Sequence, residues 1–225
     1  MQARVRHILA VAGICAILLL VAPFAGAERA QFRGEGVSSY LSLSDGGNVL
    51  KHDGNFTVTY KDYIVTGQLG EFYRAPANKE GATTRDRVVI TKGGRVVQSG
   101  DDALEIKALD LIDMDLATEG ILAKGQVEII TKNTVITAEY MESGDLERIR
   151  PLVEEAVKNL DSRYFDMVEE WLGKADSSDR LLLLDGNVAA KDPQFVFTGQ
   201  KLIVNATKEV YLFLGPHTIE LDIED

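Results

Sequence analysis

Residues 125–140 read Gly-Gln-Val-Glu-Ile-Ile-Thr-Lys-Asn-Thr-Val-Ile-Thr-Ala-Glu-Tyr. Two short runs rich in β-branched residues, Val127-Glu128-Ile129 and Val135-Ile136-Thr137, flank a polar turn at 131–133. The unit is strand, turn, strand. Its Gly-polar-Val opening recurs at Gly47-Asn48-Val49, Gly94-Arg95-Val96 and Gly186-Asn187-Val188. The spacings are 47, 31 and 61 residues, the last being about two steps of the middle one. Phe56-Thr57-Val58-Thr59, Thr134-Val135-Ile136-Thr137 and Phe195-Val196-Phe197-Thr198 each start nine residues after their glycine. Repeats of two short strands imply stacked rungs, each burying a face against its neighbours. Glycine permits a positive φ or a close backbone approach, Asn tolerates the adjoining turn, and Val begins the strand. The phrase therefore reads as the opening turn of a rung, and its chemistry is backbone geometry.

Working outward, Phe56–Tyr60, Val88–Ile90 and Thr218–Ile223 carry further strand patterns, two of them with clean period-two alternation. Residues 66–87 contain Gly67, Gly70, Pro76, Asn78 and Gly81 and read as a long loop. One stretch breaks the pattern. From about Asp145 to Gly173, Leu152, Val153, Val157, Leu160, Tyr164, Phe165, Val168, Trp171 and Leu172 recur at steps of mostly three and four. This predicts an amphipathic helix, or two parted near Asp161-Ser162, inserted at about 145–175. Pro151 suits its first turn and Gly173 its last. Val210-Tyr211-Leu212-Phe213-Leu214 is apolar on both faces of a strand. The inserted helix, a neighbouring subunit or central burial would each cover the second face.

Arg4 and Arg6, an apolar run from Ile8 to about Phe24, and Ala25-Gly26-Ala27 have the layout of a secretory signal. Cleavage after Ala27 leaves residues 28–225 as one β domain interrupted by the helical insertion; an uncleaved inner-membrane anchor is the alternative. Cys15 is the only cysteine, so an exported chain holds together without disulfides. The net charge is −11, and −13 without Arg4 and Arg6. A field of that sign opposes nucleic-acid binding and docking on anionic membranes.

Gly125-Gln126-Val127-Glu128-Ile129 followed by Thr134-Val135-Ile136-Thr137-Ala138-Glu139-Tyr140 resembles the repeat unit of the OstA-like (LptA–LptC) proteins of lipopolysaccharide transport. The pattern is looser at 47–65 and 186–204, and the resemblance covers most of 40–225 apart from the helix. It implies a mainly β, V-shaped β-jelly roll of stacked antiparallel strand pairs, with an apolar groove that shelters acyl chains. It implies a periplasmic location. It also implies partners: lipopolysaccharide or a related lipid, and other transport components or further copies joined through edge strands. No cofactor is implied. The helical insertion departs from the simple repeat.

The groove candidates are Phe56, Val58, Tyr60, Val127, Ile129, Ile136, Phe195, Phe197, Leu202 and Val204. Arg85, Arg87, Lys92 and Arg95 form the densest basic stretch and are candidates for a rim that meets phosphorylated sugars. Asp110, Asp113 and Asp115, with Asp101-Asp102, lack the spacing of a calcium loop and read as a solvated face. No zinc-protease, nucleophile-elbow or phosphate-loop motif occurs, and His52-Asp53 makes no triad by adjacency. The chain reads as a non-enzyme without a metal. An open apolar trough would fit lipid carriage, and a filled core would fit a structural scaffold joined through its edges.

Overall fold

A computed structural model describes residues 30–76, 83–100, 103–158 and 162–221. The signal-like stretch and Asp101-Asp102 named above lie outside them, as does Asp222-Ile223. The chain is mainly β. Its strands are β1 (Gln31–Ser42), β2 (Asn48–Tyr60), β3 (Tyr63–Arg74), β4 (Arg87–Lys92), β5 (Gly94–Gln98) and β6 (Leu104–Ala108). They continue with β7 (Leu111–Asp115), β8 (Ile121–Ile130), β9 (Val135–Gly144), β10 (Leu181–Lys191), β11 (Phe195–Asn205) and β12 (Val210–Leu221). Between β9 and β10 come two helices, α1 (Leu146–Val157) and α2 (Ser162–Leu172). The segment expected as a loop from residue 66 is strand as far as Arg74. Its glycines misled the reading: Gly67 and Gly70 face the Phe56 ring, which needs the room a Cβ would fill.

All pairings are antiparallel, and the sheet follows chain order once two pairs of short strands are each counted as one. β4 and β5 act as one long strand broken at Gly93, and β6 and β7 as another broken at Leu109-Asp110. β3 pairs with both β4 and β5, and β8 with both β6 and β7. The register irregularities fall on the same line: Asp53/Phe56, Lys124/Val127, Asp185/Val188 and Gly199/Lys201. Gly93 N donates to Leu109 O at 3.0 Å and Leu109 N to Gly125 O at 2.7 Å, so the line is stitched across strands. Each bulge bends its strand. Bends in register crease the whole meander into two leaves, the V of the expected β-jelly roll. One leaf holds 48–53, β4, β7, 121–124, 140–144, 181–185, 201–205 and 210–214. The other holds 56–60, 63–66, β5, β6, 127–130, 135–138, 188–191, 195–199 and 217–221.

The repeated glycine phrase acquires its meaning here. Gly125 and Gly186 both have φ +78°, and Gln126 and Asn187 behind them both have φ +47°. They do not open strands, as the sequence suggests; they sit in the middle of β8 and β10, at the crease. Gly47 and Gly94 do stand at strand starts, where Thr84 and Ile112 crowd them.

The helices fall where expected and as a pair. Asp145 caps α1, its Oδ1 accepting from Arg148 N at 2.9 Å. Pro151 lies in the interior of α1 rather than its first turn. Gly173 follows α2 and still donates to Glu169 O at 2.8 Å. Ile149, Val153, Val157, Val168 and Leu172 pack on Leu181, Leu183, Ile203 and Leu214, with Leu212 beside them. These strand residues point out of the first leaf, because Leu182, Leu184, Leu202 and Val204 between them point in. The helix pair is thus the cover for the two-faced run 210–214, and it lies on the outer surface of the V rather than over its groove.

Candidate functional site: the interior between the leaves and its rims

One apolar cluster draws side chains from both leaves. Val88, Ile90, Ile112, Met114, Ile121, Met141, Leu182 and Leu184 come from the first, and Val65, Val96, Ile106, Val127, Ile129 and Ile136 from the second. Every groove candidate faces this space. Phe56, Val58, Val127, Ile129, Ile136, Phe197, Leu202 and Val204 are buried at 0–4% exposure. Tyr60 and Phe195 are partly buried against the same cluster. The middle of the V is therefore filled by its own side chains.

The two ends differ from the middle. At the N-terminal end Phe32, Tyr60 and Phe72 are only partly covered, and Tyr40 is exposed. At the C-terminal end Phe195, Tyr211 and Phe213 are partly covered, and Ile219 and Leu221 are exposed. Phe195 meets Tyr211 edge-on at 5.0 Å, and Phe197 lies 4.7 Å from Phe213. At the other end Phe32 and Phe56 stack at 5.7 Å, with His52 edge-on to both. His52 is buried; its ring nitrogens lie 2.7 Å from Ser38 Oγ and 3.3 Å from Asn55 O. Among the described residues β1 pairs only with β2, and β12 only with β11, so each end also presents a free strand edge.

The rims opposite the crease are joined by polar contacts that the sequence reading missed. Tyr63 points inward from the second leaf and is fully buried. Its hydroxyl donates to Glu119 Oε2 at 3.2 Å and accepts from Arg180 Nη2. Both partners belong to the first leaf's far rim, Glu119 in the β7–β8 turn and Arg180 just before β10. Lys61 Nζ reaches Glu119 Oε1 at 2.6 Å, and the Arg180 guanidinium lies 5.6 Å from the centre of the Tyr63 ring. Burial pushes the Tyr63 phenol up to about 12, so it stays a neutral donor. A second bridge joins Thr134, on the second leaf, to the first. Thr134 Oγ1 donates to Asp192 Oδ2 at 2.7 Å and lies 3.1 Å from the Tyr211 hydroxyl. Period two does not single out either tyrosine, because Tyr63-Ile64-Val65 and 210–214 are apolar on both faces; a buried phenol nonetheless requires a polar partner. Which partner it finds depends on leaf packing.

The basic candidates do not form one rim. Arg85 and Arg87 line a cavity of about 500 Å³ on the outer face of the first leaf, with Tyr73, Thr83, Thr84, Asp113, Asp115 and Arg148. There Arg87 pairs with Asp113 at 3.1 Å and Arg148 with Glu142 at 3.0 Å. Burial holds the Asp113 carboxyl above its ordinary value despite Arg87. Lys92 lies apart, in a second cavity at the crease with Glu35 and Asp53. Arg95 makes a two-pronged pair with Glu105, at 2.7 and 3.0 Å, outside the second leaf. Arg95 draws the Glu105 carboxyl down to about 2. Among the described residues no group of three or more His, Cys, Asp or Glu is placed to hold a metal ion. No described helix is long and apolar enough to cross a membrane.

No family model and no curated protein matches this chain. One solved structure similar to it is LptH, the LptA-homologous periplasmic component of the conserved lipopolysaccharide transport device from Pseudomonas aeruginosa. The likeness covers 51% of this chain and 75% of that one, at 17% identity and a TM-score of 0.40. At those values it adds no argument about function.

Proposed function

We propose that this chain is an exported, non-catalytic carrier that shelters the acyl chains of lipopolysaccharide, or a similar amphipathic lipid, between two β leaves in the periplasm. The observation that carries this reading is that the apolar interior reaches the outside at both ends, each beside a strand with one edge free among the described residues. A second β unit adding to β1 or β12 would extend the sheet by backbone pairing. It would also continue the aromatic lining from one unit into the next. Acyl chains lying along that lining would gain about 25 cal/mol for each Å² of apolar surface removed from water. No cofactor is required for such a transfer.

The filled middle supports a second reading, in which the same stack is a scaffold that joins partners through its edges and carries no ligand. Photo-crosslinking separates the two. A photoreactive residue at Phe195, Phe213 or Phe32, and deeper at Phe197 or Ile136, is exposed to purified lipopolysaccharide. Carriage predicts adducts from the end positions first and from the deep positions on longer incubation. Adducts from none of the five would leave the scaffold.

A further inference from the structure

The leaves meet on the side away from the crease, and the meeting line is not uniform. In its middle it is apolar, with Leu104 of the second leaf and Leu116 of the first both buried in the shared cluster. Flanking this are the two polar bridges, each built round an inward tyrosine that reaches over to the other leaf: Tyr63 to Glu119 and Arg180, and Tyr211 to Thr134. Tyr63 crosses from the second leaf and Tyr211 from the first. These contacts are side chain to side chain, whereas the crease is continuous chain on every strand. The line can part while every strand stays paired with its neighbours.

Arg180 adds a structural reason for placing control here. It ends the segment that returns from α2, and that segment is fastened to the β11–β12 turn. Lys208 Nζ reaches Asp176 at 2.7 Å and Asp179 at 2.8 Å, and Asn205 Nδ2 donates to Asp179 at 2.7 Å. Arg180 N donates to Thr207 Oγ1 and its carbonyl accepts from Ala206 N. The guanidinium is thus held by the base of the helical insertion. Its Nη1 is buried without a hydrogen-bond partner among the described residues. An uncompensated buried donor weakens the closed state relative to one in which water can reach it.

We propose that the two tyrosine bridges are a latch across this seam, and that releasing them opens the interior sideways along its length without unfolding either leaf. The cargo of the opened space rests on the carrier reading; the latch itself does not. Hydrogen bonds exchange readily for bonds to water, so a seam closed by a few of them suits a door better than one closed by packing alone.

The test is thiol accessibility in a chain whose one cysteine is removed (Cys15→Ser). Leu116→Cys reports on the seam, and Ala123→Cys, buried in the same cluster but next to the crease, reports on unfolding. Each reporter is combined with Tyr63→Phe/Glu119→Gln and with Tyr211→Phe, and labelling by a water-soluble maleimide is timed. The latch predicts at least tenfold faster labelling at 116 with the rate at 123 unchanged. No change at 116 overturns it, and so does equal acceleration at both sites, which would mean general loosening. In parallel, uptake of the apolar dye N-phenylnaphthylamine is followed by fluorescence. Faster uptake by the unlatched variants supports the latch as an access route. If the seam opens but no variant takes up dye, the latch stands and the carrier reading fails.

Discussion

At the scale of single residues, backbone conformation explains more than side-chain chemistry. Gly186 has φ +78°, and a Cβ there would lie 2.7 Å from Glu139 Oε2. Gly186→Val should therefore cost about 1–3 kcal/mol from the left-handed conformation alone. Urea unfolding would measure it, and an unchanged midpoint would refute the crease assignment. The neighbouring Asn187 was legible in the sequence, since Asn is among the residues that accept a positive φ. That the phrase marks mid-strand creases in β8 and β10 was not legible, because a bulge and a strand start use the same glycine. A second residue-scale prediction concerns acid. The Glu105 carboxyl is depressed to about 2 in the folded chain by its pairing with Arg95. Its stabilisation is present above the ordinary carboxylate value and lost as pH falls from about 4.3 towards about 2. Glu105→Gln should flatten thermal stability against pH in that window. Because the pair lies at the surface, the effect should be small and weaken further in salt.

At the scale of elements, the helical insertion is a piece of packing. Its apolar stripe was readable from steps of three and four, but its partner was not. Leu181-Leu182-Leu183-Leu184 and 210–214 advertise two buried faces without saying what covers the outer one. The cover proves to be local, because α1 leaves β9 and α2 returns to β10 at the same rim of the same leaf. Ile149 is fully buried in that contact. Ile149→Ala should cost about 2–5 kcal/mol, read as a lowered midpoint in thermal or denaturant unfolding. Removing 145–175 should expose Leu181, Leu183, Ile203 and Leu214 together and drive self-association, detectable by light scattering. A deletion variant that stays monomeric with an unchanged melting temperature would show the helices to be dispensable.

At the scale of the whole molecule, the creased meander leaves two strands with one side unpaired among the described residues, and these set how the protein can assemble. Val37, Tyr40 and Leu41 on β1 are strongly exposed, as is Leu221 on β12. Introducing proline at an outward-facing N–H of β1 removes a donor from the free edge without touching the core. If stacking uses that edge, proline placed in turn at Ser39, Tyr40 and Leu41 should, at the position whose N–H faces away from β2, shift the protein toward monomer in sedimentation while leaving its β signature intact. The helix pair does not cover this end, so it is the less obstructed of the two.

The repeat of short alternating runs determined by itself that the chain is a sequential stack of antiparallel strand pairs. Period two fixes which side chains share a face, and the ten groove candidates all turned inward for that reason. The insertion and its amphipathic stripe were likewise written locally. What only the tertiary structure decided is everything that depends on one leaf meeting the other. It closed the middle of the groove, spread the four basic candidates over three separate surfaces, and brought Tyr63 to Glu119 and Arg180 across 56 and 117 residues of chain. Local propensity specifies a strand and its faces, but the angle at which a creased sheet folds back is set by packing between side chains far apart in sequence.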